Sequence, residues 1–112
     1  MQTKEQIETM GAKVESLGEL LEYQNSSIVS RVLLKNNGGT VTLFAFDMGE
    51  GLSEHTAPFE AFVFVIDGEA EVEIAGRAYS IRTGETITLP ATIPHAVKAT
   101  TKFKMLLTMI RA

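Results

Sequence analysis

His55 and His95 are the only two histidines in a chain of 112 residues that contains no cysteine. Metal binding through nitrogen and proton transfer near neutral pH therefore fall to these two side chains. Without cysteine there are no disulfides, no thiolate metal sites and no cysteine nucleophile. The first histidine lies in the run GEGLSEHTAPFEA, residues 49–61, and the second ends the run GETITLPATIPH, residues 84–95. Two imidazoles can hold Zn²⁺, Ni²⁺ or Cu²⁺ when water or another protein oxygen completes the shell, whereas non-haem iron commonly takes two histidines plus a carboxylate. Asp47, Glu50 and Glu54 are the nearest acidic residues in sequence. A single imidazole can also act as a metal-free general acid–base.

These residues need a scaffold, and the sequence alternates with period two over most of its length. The strand pattern covers Ser27 to Leu34, Thr40 to Met48, Ala61 to Asp67, Glu69 to Ala75, Ala78 to Arg82, Thr86 to Leu89, His95 to Lys98 and Lys102 to Arg111. Glycine-bearing turns separate many of them, among them Asn36 to Gly39, Asp67-Gly68, Ala75-Gly76 and Thr83-Gly84. In Glu69 to Ala75 the alternation is clean, with Ala70, Val72 and Ile74 facing in. The segments Thr40 to Met48 and Ala61 to Asp67 are apolar on both faces, which predicts cover on both sides. In the last strand Phe103, Met105, Leu107 and Met109 share a face. Short strands about every ten residues, closed by turns, indicate a sandwich or barrel.

Ahead of the strands, Thr3 and Gln6 have capping-box spacing, Ile7 and Met10 share one helical face, and Gly11 suits the position after the C-cap. A helix this short is marginal alone and must dock on something. Val14 to Leu17 reads as extended, and Leu20, Leu21 and Tyr23 as a helical turn or short strand. The expected division is one domain over 1–112, with a helix and arm at 1–24 and a barrel at 25–112. Tyr23 and Tyr79 are expected to pack with their hydroxyls at the surface. Pro58, Pro90 and Pro94 shape loops, and the Ala57-Pro58 and Ile93-Pro94 pairs bias Ala57 and Ile93 to extended geometry, which helps present each histidine at a strand start. Thr56 and Thr92 read as turn or strand hydroxyls.

The two histidine runs resemble the signature motifs of the cupin superfamily. The first motif is a glycine, five residues, His-x-His, three or four residues, Glu, six residues and a glycine. Gly49, His55 and Gly68 fit it, while Ala57 stands where the second histidine belongs and Ala61 where the glutamate belongs. The second motif is a glycine, five residues, Pro-x-Gly, two residues and a histidine. Gly84, Pro90 and His95 fit it, and Thr92 replaces its inner glycine. The resemblance implies an all-β, double-stranded β-helix or jelly-roll barrel of the RmlC-like kind, with a short N-terminal helix.

In metal-binding cupins three histidines and a carboxylate converge inside the barrel. By strand parity His55 shares a face with Ala57, and Ala61 shares one with Val63 and Val65. Glu60 falls with Phe62 and Phe64 and points away. The expected site is therefore a metal pair, His55 and His95, in a ligand pocket formed by His55, Ala57, Ala61, Val63 and His95. Its occupant is one divalent ion (Zn, Ni, Fe or Mn) or no metal.

Fourteen acidic against ten basic residues give a net charge of −4. The cations are scattered singly, so no surface for nucleic acid is expected. No segment has the length and apolarity of a membrane span or a signal peptide, and the cytoplasm is the expected location. Three functions stay open: a small-molecule-binding cupin, with or without a metal; a metal-dependent enzyme of dioxygenase or isomerase type; and a metal-free ligand-binding or regulatory module. The aromatic face of Phe62 and Phe64, grouped with Phe44 and Phe46, favours a homodimer formed by sheet packing.

Overall fold

A computed structural model of the protein describes residues 1–111. After a helix α1 (Lys4–Thr9) and a 3₁₀ turn (Leu17–Glu19) come nine strands. They are β1 (Ile28–Asn36), β2 (Gly39–Phe46), β3 (Gly51–His55), β4 (Phe59–Asp67), β5 (Glu69–Ile74), β6 (Arg77–Arg82), β7 (Thr86–Leu89), β8 (His95–Ala99) and β9 (Phe103–Arg111). Two antiparallel sheets result. One has the order β1-β2-β9-β4-β7 and the other β3-β8-β5-β6. No helix among the described residues is long and apolar enough to cross a membrane.

The core lies between the inner faces of the sheets. Phe46, Val63, Val65, Val72, Phe103 and Met105 are all essentially inaccessible to solvent. Phe46 stacks on Phe103 with ring centroids 4.5 Å apart. Apolar burial of this kind, at about 25 cal/mol per Å², is the main favourable contribution to folding.

Three expectations need correcting. The first concerns β3, which the strand pattern of the sequence leaves out and which puts His55 at a strand end rather than at a strand start. Its residues are mostly polar and solvent-exposed, so it lacks apolar alternation, and pairing with β8 is what makes it a strand. The second concerns the aromatic grouping. Paired residues share a face, and Phe44 stands opposite Met105 while Phe46 stands opposite Phe103. Phe62 and Phe64 stand opposite Thr108 and Leu106, on the outer surface of the same sheet. The phenylalanines thus serve two different faces.

The third concerns the N-terminal segment. Thr3 and Gln6 do form a capping box, and Gly11 adopts a positive φ of 99° just after the C-cap. However, no residue of α1 is buried, and Met10 is 73% exposed. It is the following arm that contacts the barrel. Lys104 donates from Nζ to the Gly18 carbonyl at 2.6 Å, and the Tyr23 hydroxyl donates to Asp67 Oδ2 at 2.6 Å. The Tyr23 hydroxyl is therefore engaged rather than left to solvent. Partial burial, reinforced by the Asp67 carboxylate, pushes its pKa above the ordinary phenol value.

Candidate metal and ligand site

The two histidines arrive from neighbouring strands. His55 ends β3, His95 begins β8, and the two are direct cross-strand partners. A register shift between Leu52 and His55 re-aims the end of β3. The Nε2 atoms lie 3.1 Å apart, with the ring planes inclined at 70°.

Each ring is oriented by the backbone two residues earlier. His55 Nδ1 lies 2.8 Å from the Ser53 carbonyl oxygen and His95 Nδ1 lies 3.2 Å from that of Ile93. A carbonyl oxygen only accepts, so each of these contacts forms when that Nδ1 carries the proton. With both Nδ1 atoms protonated, the Nε2 lone pairs of the two neutral rings point into the same space; with either Nε2 protonated, the 3.1 Å contact is a hydrogen bond between the rings. Burial, aided by the nearby His55, lowers the pKa of His95 from its ordinary value.

The surroundings are apolar. His55 and His95 share a cavity of about 50 Å³ with Ala57, Ala61 and Val63, as strand parity predicts. Leu52, Leu89, Val97, Met105, Leu107 and Met109 complete its walls. That volume suits an ion with a few waters, or a ligand of very few atoms, and falls well short of a drug-sized pocket of roughly 300 Å³. His95 is only 8% exposed, whereas His55 sits at the open side.

The β9 side chains were legible as a set sharing one face. Nothing in their own pattern says that this face lines the histidine cavity, because that depends on β9 lying between β2 and β4.

Among the described residues no carboxylate side chain lines the cavity. Glu60 pairs with Ile110 on the outer surface, as its parity requires. Asp47 is occupied in a turn, accepting from the Ser26 and Met48 backbone N–H groups at 2.7 and 2.9 Å. Among the described residues no group of three His, Cys, Asp or Glu side chains converges. Thr92 takes the φ of +66° that glycine adopts without strain, and its N–H donates to the Ala57 carbonyl at 2.8 Å. That bond ties the loop before His95 to the loop after His55.

The donor pair fits a metal ion. With metal–nitrogen bonds of about 2.0–2.1 Å, a separation of 3.1 Å subtends an angle of about 100° at the ion. That lies between the octahedral and tetrahedral values, so further donors must come from the cavity side or from solvent.

Residues 42–111, which contain both histidines, match the family described as Cupin domain. A conserved protein of unknown function from Streptococcus pyogenes superimposes with a TM-score of 0.86 at 34% identity, covering 90% of this chain and 89% of that one. A cupin 2 conserved barrel domain protein from Leptotrichia buccalis gives a TM-score of 0.82 at 41% identity, over 84% of this chain and 46% of that one. A curated relative, described as "Polyketide synthase CurC" from Streptomyces cyaneus, is 29% identical over 70 residues. That match takes in 62% of this chain and 46% of the relative, so the chain spans about half the length of the curated relative. With both histidine motifs inside the matched region and two antiparallel sheets enclosing them, the chain belongs to the cupin family.

Proposed function

We propose that this cupin binds a transition-metal ion between His55 and His95, leaving coordination positions open to a small molecule at the barrel mouth. The observation that carries the reading is the 3.1 Å approach of the two Nε2 atoms, with each Nδ1 within hydrogen-bond distance of a backbone carbonyl. A cation between the two Nε2 atoms, whether a metal ion or a shared proton, offsets the repulsion of their lone pairs at that distance. His55 and His95 supply the donors, and the apolar wall keeps competing water low. A bound metal would act as a Lewis acid toward a small oxygen- or nitrogen-bearing ligand.

The test is metal analysis of protein purified without a histidine tag, beside His55→Ala and His95→Ala. Stoichiometric metal lost in both variants supports the reading. A metal-free protein whose thermal stability ignores added Zn²⁺, Ni²⁺, Fe²⁺ and Mn²⁺ overturns it and leaves the metal-free ligand-binding module.

The outer surface of the five-stranded sheet favours a homodimer. Phe62 is 45% and Ile110 57% exposed there, close to the partly buried Phe64 and Leu106. The helix α1 and its C-cap leave Ile7 40% and Met10 73% exposed. A second copy would cover such surfaces. Sedimentation is expected to give about twice the 12.2 kDa chain mass.

A further inference from the structure

Resting on the metal reading above, we propose that the Met109 thioether is a third ligand of the site and that it makes the site selective for Cu(I). The wall facing the two imidazoles carries a soft donor and no hard one. Met109 lines the same cavity as His55 and His95. It stands between Thr40 on β2 and Ala61 on β4, so on the β4 side only a methyl group flanks it. An unbranched side chain with three rotatable bonds can swing its sulfur into that space. Met109 is also partly exposed, which places it toward the mouth, where His55 opens to solvent.

Three arguments converge on the ion. The angle of about 100° set by the 3.1 Å nitrogen separation rules out linear two-coordination, so at least one more donor is needed. Thioether sulfur is a soft ligand that favours Cu(I) over hard, oxygen-preferring ions. All the available donors are neutral, and no acidic side chain lines the cavity. Holding a charge in apolar surroundings has a Born cost that grows with its square, so a monovalent ion costs about a quarter of what a divalent one does.

Met105 also lines the cavity, opposite Val65 and four residues from Met109 along β9, or about 13 Å at the usual strand rise. Met48, 67% exposed and outside the cavity, serves as the comparison.

The experiment is an anaerobic Cu(I) titration of the untagged protein against the chromophoric chelator bicinchoninate. It is run on the wild type, Met109→Leu, Met48→Leu and His95→Ala, with a parallel Zn²⁺ titration. The expected result is one Cu(I) per chain, with affinity lowered about tenfold or more in Met109→Leu, unchanged in Met48→Leu and lost in His95→Ala. Zn²⁺ affinity should stay the same in Met109→Leu. X-ray absorption of the copper-loaded wild type should show a sulfur bonded to copper, a readout that does not depend on any variant folding. Equal Cu(I) affinity in Met109→Leu, a parallel loss of Zn²⁺, or absence of the sulfur neighbour overturns the assignment while the histidine metal site stands. If the wild type binds neither ion, the metal reading itself falls.

Discussion

The side chains of His55 and His95 approach Nε2 to Nε2 at 3.1 Å while each Nδ1 is turned to a backbone carbonyl. With both Nδ1 atoms protonated, the two Nε2 lone pairs converge and the pair has the form of a two-point ligand.

Metal should stabilise the fold through this pair. At a free Zn²⁺ concentration 100 times Kd, linkage contributes about 2.7 kcal/mol, or about 10 °C in Tm for a domain of this size. His55→Ala and His95→Ala should each abolish the rise. Scanning fluorimetry with and without Zn²⁺ checks this, and a rise that survives in both variants would count against the site.

Acid should destabilise the metal-free protein in a definite window. The His95 pKa is lowered in the folded state by burial, with a smaller contribution from His55, against an ordinary value of 6.5. The unfolded chain therefore binds the proton more readily, and stability rises with pH across the interval. His95 contributes fully above about pH 6.5, and the contribution is lost as pH falls from there toward the lower folded-state value. Asp47 and Glu69 are held below the usual carboxylate range by hydrogen bonds, to Ser26 and Met48 N–H and to Ser80 and Arg82 respectively. Their effects belong to a more acidic interval. Urea midpoints at pH 7.5 and 5.5 in the presence of a chelator should differ in the wild type and converge in His95→Asn.

Two positive-φ positions should respond in opposite directions. Thr92 is β-branched at φ +66°, so Thr92→Gly should relieve strain and raise stability by about 1 kcal/mol after the entropy of the added glycine is counted. Gly68 has φ +86°, and a Cβ there would collide with the Lys102 carbonyl oxygen and the Phe103 backbone. Gly68→Ala should cost about 3 kcal/mol or more. Denaturant unfolding measures both. A stabilised Gly68→Ala would show that the turn between β4 and β5 can relax.

The Tyr23 hydroxyl holds the arm to the end of β4 through Asp67 at 2.6 Å. Tyr23→Phe should lower stability by about 1 kcal/mol. It should also raise proteolysis between α1 and β1 before it affects the barrel. Limited proteolysis followed by mass spectrometry locates the cut, and unchanged cleavage kinetics would mean that Lys104 and the leucines of the arm suffice.

Phe62→Glu should abolish the proposed dimer and leave a folded monomer, because the side chain is 45% exposed in the single chain and its loss leaves the core intact. Equilibrium sedimentation and circular dichroism on one sample separate the two effects. A Phe62→Glu dimer of undiminished affinity would place the interface elsewhere.

How much of this the residues announced depends on how local the cause is. The capping box needs only Thr3 and Gln6, and the inward alternation of Ala70 and Val72 needs only strand parity. The exclusion of Glu60 follows from the same parity. By contrast, β3 carries no apolar rhythm and exists as a strand because β8 supplies its hydrogen bonds. The four phenylalanines look like one aromatic face until pairing through β9 assigns Phe44 and Phe46 to the core and Phe62 and Phe64 to the outside.

The sequence alone determined a chain of short alternating strands, and hence a sandwich or barrel, with two histidines as its candidate chemistry. These follow from residue type, spacing and a period of two, all properties of the chain taken locally, while the cupin form and the alanines at 57 and 61 in place of ligands came from the resemblance to the family motifs. The tertiary structure decided the 3.1 Å approach of the imidazoles, the carbonyls their Nδ1 atoms face, and the presence of Met109 in the same cavity. Each depends on which strands become neighbours. That outcome is set by the pairing and twist of two whole sheets, and no short stretch of sequence contains it.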